Sequence, residues 1–148
     1  MRHWKPVAAA LVAVAALVAA GTAGATPPQP VTIAVDTIFV TGNVDKFTST
    51  GGVVCASGEV TTPWILFAGG QSGTHGQLLV AKHFVCPDGT FDAHLRVRLD
   101  FETGETEGTW SIVGGDGAYK RLHGGGRIVG DPTETGILDQ YGGKLSVN

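Results

Sequence analysis

The sequence predicts an all-β fold and, within that class, a single closed antiparallel barrel of about eight strands. The first observation is a strict period of two from Thr90 to Phe101, where every odd position but none of the even ones is apolar; this pattern indicates a strand with one buried face. The second is that many of the 23 glycines cluster between apolar segments, where a β-chain must turn. The third is that no capped helical pattern of ten residues occurs.

A two-sheet β-sandwich is the alternative architecture, because short regular strands fit either arrangement. Long alternating strands that each bury one face, with no charged, proline-bearing candidate for an edge, are satisfied most simply when the sheet closes. An immunoglobulin-type sandwich also expects a Trp on a central strand between its two cysteines. Trp64 follows Cys55 by only nine positions and does not fill that place before Cys86. The barrel is therefore favoured.

The first 25 residues have the pattern of a signal peptide. Arg2 and Lys5 form a short basic region, Val7–Ala20 is an unbroken apolar run, and small residues end at Ala25. The apolar run is shorter than the roughly 20 residues that a spanning helix needs. We expect cleavage after Ala25 and a secreted product with no stable membrane insertion.

Cleavage would leave a Pro-rich leader at 26–30 and one domain at 31–148. The formal net charge would change from −3 to −5, because Arg2 and Lys5 are lost and no acidic residue goes with them. An acidic surface argues against nucleic acid or an anionic membrane as a partner.

The first predicted strand is Val31–Thr41, which is rich in β-branched and aromatic residues. Its apolar parity begins with Val31 and Ile33 and then shifts to Ile38 and Val40. Such a shift predicts a β-bulge or a strand buried on both sides.

The later segments follow the same logic. Gln77–Cys86 and Thr90–Phe101 should pair as a hairpin through the Asp-Gly turn at 87–89. Glycines at 114, 115 and 117 predict a tight reversal after a strand that buries Trp110 and Ile112. The remaining extended segments are Val53–Thr61, Trp64–Ala68, Thr106–Val113, Arg127–Gly130, Thr135–Tyr141 and Gly143–Val147.

Cys55 and Cys86 are an even pair in an exported chain, which predicts a disulfide. Closing a loop of this length would stabilise the fold by about 3.5 kcal/mol in the chain-entropy estimate. The alternative is a reactive thiol or a metal pair with His83. The export context favours the disulfide.

Four residues are candidates for ligand contact. Trp64 and Phe67 belong to an apolar run that would line a barrel mouth or, as is more usual for large aromatics, plug one end of the core. Arg96 and Arg98 lie on the polar face of the long strand, which is outside if the lumen is apolar. If that face turned inward, the two arginines would contact a polar ligand.

No catalytic residue, cofactor or metal is predicted. His123–Gly126 has the letters of an esterase oxyanion loop, but the required G-x-S-x-G motif is absent from the sequence. Gly115–Gly117 begins a dinucleotide pattern, yet Lys120 replaces its third glycine and no helix is predicted after it. The four histidines of the mature chain lack the short same-face spacing of zinc ligands; they are His75, His83, His94 and His123.

A family resemblance adds to these observations. The run Gly108–Trp110, the turn Gly114–Tyr119 and the segment Asp139–Gly143, together with the surroundings of Cys55 and Cys86, resemble small exported actinobacterial proteins of unassigned function. The glycine-tyrosine turn is also similar to that of the allene oxide cyclase and dirigent families, which share an eight-stranded antiparallel barrel. The resemblance implies that the glycines and Tyr119 shape a turn of such a barrel.

Two functions remain open. One is a non-catalytic exported barrel that binds a small apolar ligand or a surface partner. The other is a cofactor-free isomerase or cyclase of the allene oxide cyclase and dirigent type. A cavity of several hundred Å3 with Asp, Glu, Arg or Tyr pointing inward would favour the second.

Overall fold

The computed structural model describes residues 26–40, 42–69 and 73–148. Every regular element in this part is a strand: β1 Gln29–Ile38, β2 Asp45–Thr50, β3 Ser57–Gly69, β4 His75–Cys86, β5 Gly89–Asp100, β6 Thr106–Gly117, β7 Leu122–Pro132 and β8 Gly136–Val147. Each strand pairs antiparallel with the next, and β8 pairs with β1 to close the barrel. The predicted barrel is confirmed. The signal peptide predicted at 1–25 lies outside the described residues.

The described residues contain no helix that is long and apolar enough to cross a membrane.

Alternation of side chains places one face of β1 and of β5 in the lumen. On β1, Val31, Ile33 and Val35 are buried, and the residues between them face outward. On β5 the odd, apolar positions face the lumen, whereas Arg96 and Arg98 are exposed on the outer surface. The sequence period of two therefore identified the inner face of β5 correctly. β1 also begins within the predicted leader, since Gln29 and Pro30 pair with β8.

The predicted hairpin is confirmed as β4 and β5. The two strands pair without a register shift from Cys86 opposite Gly89 to His75 opposite Asp100. Pro87 and Asp88 form the turn between them. Proline suits this place because its missing N–H is not needed in the ladder.

The prediction of a bulge or a doubly buried strand near Ile38 is wrong. β1 ends at Ile38, and the apolar residues that follow are exposed, with Val40 64% exposed. The parity shift marks the end of the strand. These apolar side chains lie at the mouth of the barrel.

Segments predicted as separate strands are continuous in the structure. β3 joins Trp64–Ala68 to the end of Val53–Thr61, with a register shift between Thr61 and Trp64. Pro63 lies in that shift, because proline cannot donate a ladder hydrogen bond. β8 likewise joins Thr135–Tyr141 to Gly143–Val147, while β2 has no counterpart among the predicted strands.

The reversal expected within Gly114–Gly117 lies slightly later. β6 continues to Gly117, and the turn occupies residues 118–121. A register shift beside Gly114 absorbs one residue of β6. Gly117 has a φ of +61°, the left-handed conformation that favours glycine before the turn.

One end of the barrel is filled by aromatic side chains. Phe84 and Phe91 stack with ring centroids 4.6 Å apart, and Phe47 and Tyr141 pack edge-on against Phe84. The indole N–H of Trp110 on β6 donates to the backbone carbonyls of Arg127 on β7 and Gly142 on β8. This end of the lumen is closed.

The predicted disulfide is confirmed at this closed end. Cys55, between β2 and β3, is bonded to Cys86 at the end of β4. The Tyr119 hydroxyl accepts from the Cys55 backbone N–H at 3.1 Å and donates to Asp88 Oδ1 at 2.8 Å. Burial, then the hydrogen bond to Asp88, raises the pKa of Tyr119 to about 12, so the phenol stays protonated. Tyr119, between β6 and β7, thus links its own turn to the β2–β3 connection and to the β4–β5 turn.

Candidate functional site at the open end of the lumen

The opposite end of the barrel opens into a cavity of about 950 Å3. Its walls are mainly apolar side chains from several strands: Leu78, Val80, Leu95, Val97, Ile128 and Ile137. Phe39, Val40 and Ile65 line the mouth and are exposed. The site is therefore a concave apolar chamber with an apolar rim, the usual form of a small-molecule site.

The cavity exists because inward-facing residues become smaller toward this end. On β4 the inward Phe84 gives way to Val80, and on β5 Phe91 gives way to Leu95 and Val97. Gly130 adds no side chain; a Cβ there would approach Asp139 Oδ1 to 2.7 Å. The sequence thus leaves space at this end that aromatic rings occupy at the other.

Three charged side chains and a threonine lie at the inner part of this cavity. Lys82, Asp139, Asp45 and Thr37 all contact the cavity, and each is at most 8% exposed. We call these four residues the lumen floor. Charged side chains are rarely this buried.

The lumen floor joins opposite sides of the barrel. Lys82 projects from β4 and Asp139 from β8, which are four strands apart in the ring of eight. Lys82 Nζ donates to Thr37 Oγ1 at 3.0 Å, and the Thr37 hydroxyl donates to Asp139 Oδ2 at 3.5 Å. Thr37 therefore bridges the amine and the carboxyl across the lumen.

From the lumen floor, the Asp45 carboxylate holds the connection between β1 and β2, which borders the mouth. Its Oδ1 accepts from the backbone N–H of Ile38 at 3.1 Å and from the side-chain amide of Asn43. This carboxylate satisfies a donor at the end of β1, where the ladder with β2 stops. Asp45 thus fixes the end of β1 and the segment that follows it.

Burial dominates the electrostatics of the lumen floor. It lowers the pKa of Lys82, although the Asp139 and Asp45 carboxylates oppose the shift. It raises the pKa of Asp139 to about 6, against the opposing effects of Lys82 and the Thr37 hydrogen bond. Asp139 therefore changes protonation around pH 6.

The charges of the floor are close but not directly paired. Among the described residues, no carboxylate oxygen lies within 4.0 Å of Lys82 Nζ. Its hydrogen bond to Thr37 is the one contact of this kind that these residues supply, whereas an ammonium group can donate three. Both the amine and the Asp139 carboxyl thus retain capacity for a polar group in the cavity.

Two hydroxyl groups nearby also have capacity. Thr62 Oγ1, on the cavity wall, and Tyr141 Oη are buried and have no hydrogen-bond partner in the described part of the chain. Burial, and secondarily the Asp139 charge, raise the pKa of Tyr141 well above its usual value. The phenol remains neutral.

The four predicted ligand-contact residues do not converge. Trp64 and Arg96 line a small groove on the outer surface, where the Trp64 ring packs edge-on against His94 at 5.1 Å. Arg98 is also outside, 3.5 Å from Glu107. Phe67 is on the rim and 57% exposed. The prediction that Trp64–Phe67 plugs the core is wrong.

Lys82 and Asp139 are not among the predicted site residues, although the sequence carried a signal for each. Both occupy the inward parity of their strands, Lys82 between Val80 and Phe84, and Asp139 just before Tyr141. A charged residue on an apolar face is an informative exception to the pattern. Charged residues at inward positions of a strand therefore identify Lys82 and Asp139 from the sequence.

Within the described residues, no three His, Cys, Asp or Glu side chains converge on a common metal position. Comparison of the chain with protein-family models, curated proteins and solved structures gave no match.

Proposed function

We propose that this protein is an exported carrier or receptor that binds one small amphipathic molecule in the lumen of its barrel. The apolar body of the ligand would contact the cavity wall, and one polar group would meet Lys82 and Asp139. The observation that carries the proposal is an apolar cavity of about 950 Å3 that ends on buried charged side chains.

The dimensions and lining support binding. Small-molecule sites typically have volumes of about 300–1,000 Å3, are largely apolar and contain a few convergent polar groups. This cavity has the same features, with Leu95 and Val97 among the wall residues and Lys82 at the floor. The exposed apolar rim gives a hydrophobic molecule a favourable entrance.

The energetics of the floor also support binding. Burying a charge that is incompletely hydrogen-bonded opposes folding. Lys82 and Asp139 therefore lower stability in a place where apolar residues would fill space. Residues of this kind are common where a protein trades stability for function.

A neutral oxygen group is the best match to the floor. A hydroxyl can accept from Lys82 Nζ and donate to the Asp139 carboxylate, so it satisfies both at once.

The confirmed disulfide between Cys55 and Cys86 and the predicted signal peptide together support export, since disulfides persist in oxidising compartments. We therefore propose that binding takes place outside the cell.

Calorimetric titration of the mature chain, residues 26–148, with 1-decanol tests the proposal. We expect one molecule to bind per chain. Val97→Phe should weaken this binding by narrowing the cavity, and the matched control Val113→Phe should leave it unchanged, because Val113 is 50% exposed. Near-UV circular dichroism checks that both variants fold. Equal binding by the two folded variants, or no binding by the parent, would overturn the proposal.

A second candidate is a cofactor-free isomerase or cyclase, as the resemblance to the allene oxide cyclase and dirigent families suggests. The observation that favours it is Asp139, which faces the cavity with a pKa of about 6. General acids and bases work best when their pKa lies near the working pH. Such a carboxyl could remove and return a proton on a bound molecule.

Deuterium exchange tests this second function. The parent protein should exchange the protons beside the carbonyl of 2-decanone in D2O faster than buffer, and Asp139→Asn should lose that exchange. Arg98→Ala, on the outer surface, serves as the control. Exchange at the buffer rate by the parent would contradict proton-transfer activity while leaving simple binding intact.

A further inference from the structure

The lysines of residues 26–148 occupy two different environments. Lys46, Lys120 and Lys144 are exposed, whereas Lys82 is 3% exposed and contacts the cavity. Lys82 is therefore almost fully withdrawn from bulk water, yet it borders the cavity that a molecule in the lumen would occupy.

The surroundings of Lys82 shift its equilibrium from the ammonium ion toward the neutral amine, since burial lowers the pKa. Within residues 26–40, 42–69 and 73–148, Nζ makes one hydrogen bond, to Thr37, and the carboxylates of Asp139 and Asp45 share the cavity without lying within 4.0 Å of it. Glu134 also lines the cavity but is exposed. An ammonium ion loses more hydration here than the direct contacts replace. A desolvated neutral lysine is the form that attacks carbonyl carbon.

The shape of the cavity selects the electrophile. A molecule with an apolar chain and a terminal aldehyde would place the chain against Val80 and Leu95 and the carbonyl at the floor. We propose that Lys82 Nζ condenses with the aldehyde of such a lumen-bound molecule to form an imine. The inference rests on the proposed lumen binding and adds to it a covalent step and a substrate class, the apolar aldehydes.

The step needs no oxidant or reductant. The Nζ lone pair forms a bond to the carbonyl carbon, and a proton passes from nitrogen to the former carbonyl oxygen, which gives a carbinolamine. The carbon–oxygen bond then breaks as the hydroxyl takes a proton from the Asp139 carboxylic acid and leaves as water. The product is a protonated imine on Lys82 beside the Asp139 carboxylate. Burial keeps a fraction of Asp139 protonated near neutral pH, since its pKa is about 6.

Reductive trapping tests the inference. The mature chain is incubated with decanal and cyanoborohydride near neutral pH, and intact mass and peptide mapping follow the decyl groups. We expect one group per chain to appear first, on Lys82 and not on Lys46, Lys120, Lys144 or the N-terminus. Excess 1-decanol should suppress this label by competition for the lumen. Glyceraldehyde, a polar probe, should label the exposed lysines instead.

Variants keep the test decisive. Lys82→Met should lose the rapid decyl label and Lys46→Arg should keep it, with thermal unfolding used to confirm that both are folded. If 1-decanol binds in the lumen but decanal labels Lys82 no faster than the exposed lysines, the imine is excluded and lumen binding stands. If neither 1-decanol binding nor rapid labelling occurs, both proposals fail. Labelling of Lys82 that 1-decanol does not suppress would also overturn the inference.

Discussion

At the level of single residues, the lumen floor places charges where apolar side chains would pack. Replacing a buried, imperfectly paired set of charges with apolar groups often leaves stability unchanged or raises it by about 1–4 kcal/mol. We predict that Lys82→Met combined with Asp139→Asn unfolds in urea at the same or a higher free energy than the parent, yet no longer binds 1-decanol. A loss of several kcal/mol would mean that the pair serves the fold.

The protonation of Asp139 gives a second prediction at this scale. Because its pKa is raised from 3.8 to about 6 in the fold, the folded state holds this proton more tightly than the unfolded state. Ionisation therefore opposes folding, and the parent should gain stability, relative to Asp139→Asn, as the pH falls from 7 through 6 toward 4. The gain is at most about 3 kcal/mol. Parallel pH dependences in urea unfolding of the two proteins would contradict the placement of Asp139.

At the level of elements, glycines allow β7 and β8 to approach closely. A Cβ on Gly126 would overlap the carbonyl oxygen of Gly142, whereas one on Gly142 would meet no atom of the described residues within 4 Å. We predict that Gly126→Ala lowers the free energy of unfolding by roughly 1–3 kcal/mol. The matched variant Gly142→Ala should stay within about 0.5 kcal/mol of the parent. Equal effects in urea unfolding would refute this account of the glycines.

The β4–β5 hairpin shows what the sequence could predict. Its turn and the alternation of β5 define a register in which Lys82 lies opposite Ala93, so the inward direction of Lys82 was within reach. β2 is harder to predict from the sequence, because it is short and Phe47 is its one large apolar side chain. Ile38 and Val40 at the rim predict a longer first strand, since β-branched residues are typical of strands, but β1 ends at Ile38. Convergence of Lys82 and Asp139 depends on barrel closure, which alternation within one strand does not encode.

At the level of the whole molecule, the barrel is tied at one end and open at the other. The disulfide and the Tyr119 hydrogen bonds hold the closed end. We predict that Cys55→Ser with Cys86→Ser lowers the free energy of unfolding by about 3.5 kcal/mol. The folded fraction should still bind 1-decanol, because the cavity is at the other end. Loss of binding by folded protein in calorimetry would show that the two ends are coupled.

The location of a bound molecule tests the central claim most directly. Isotope-labelled mature chain is titrated with 1-decanol and followed by two-dimensional NMR of backbone amides and lysine side chains. We predict saturable changes at Lys82, Val97 and Asp139 and none at the outer groove of Trp64 and Arg96. Changes confined to that outer groove, or no saturable change in the lumen, would contradict the account.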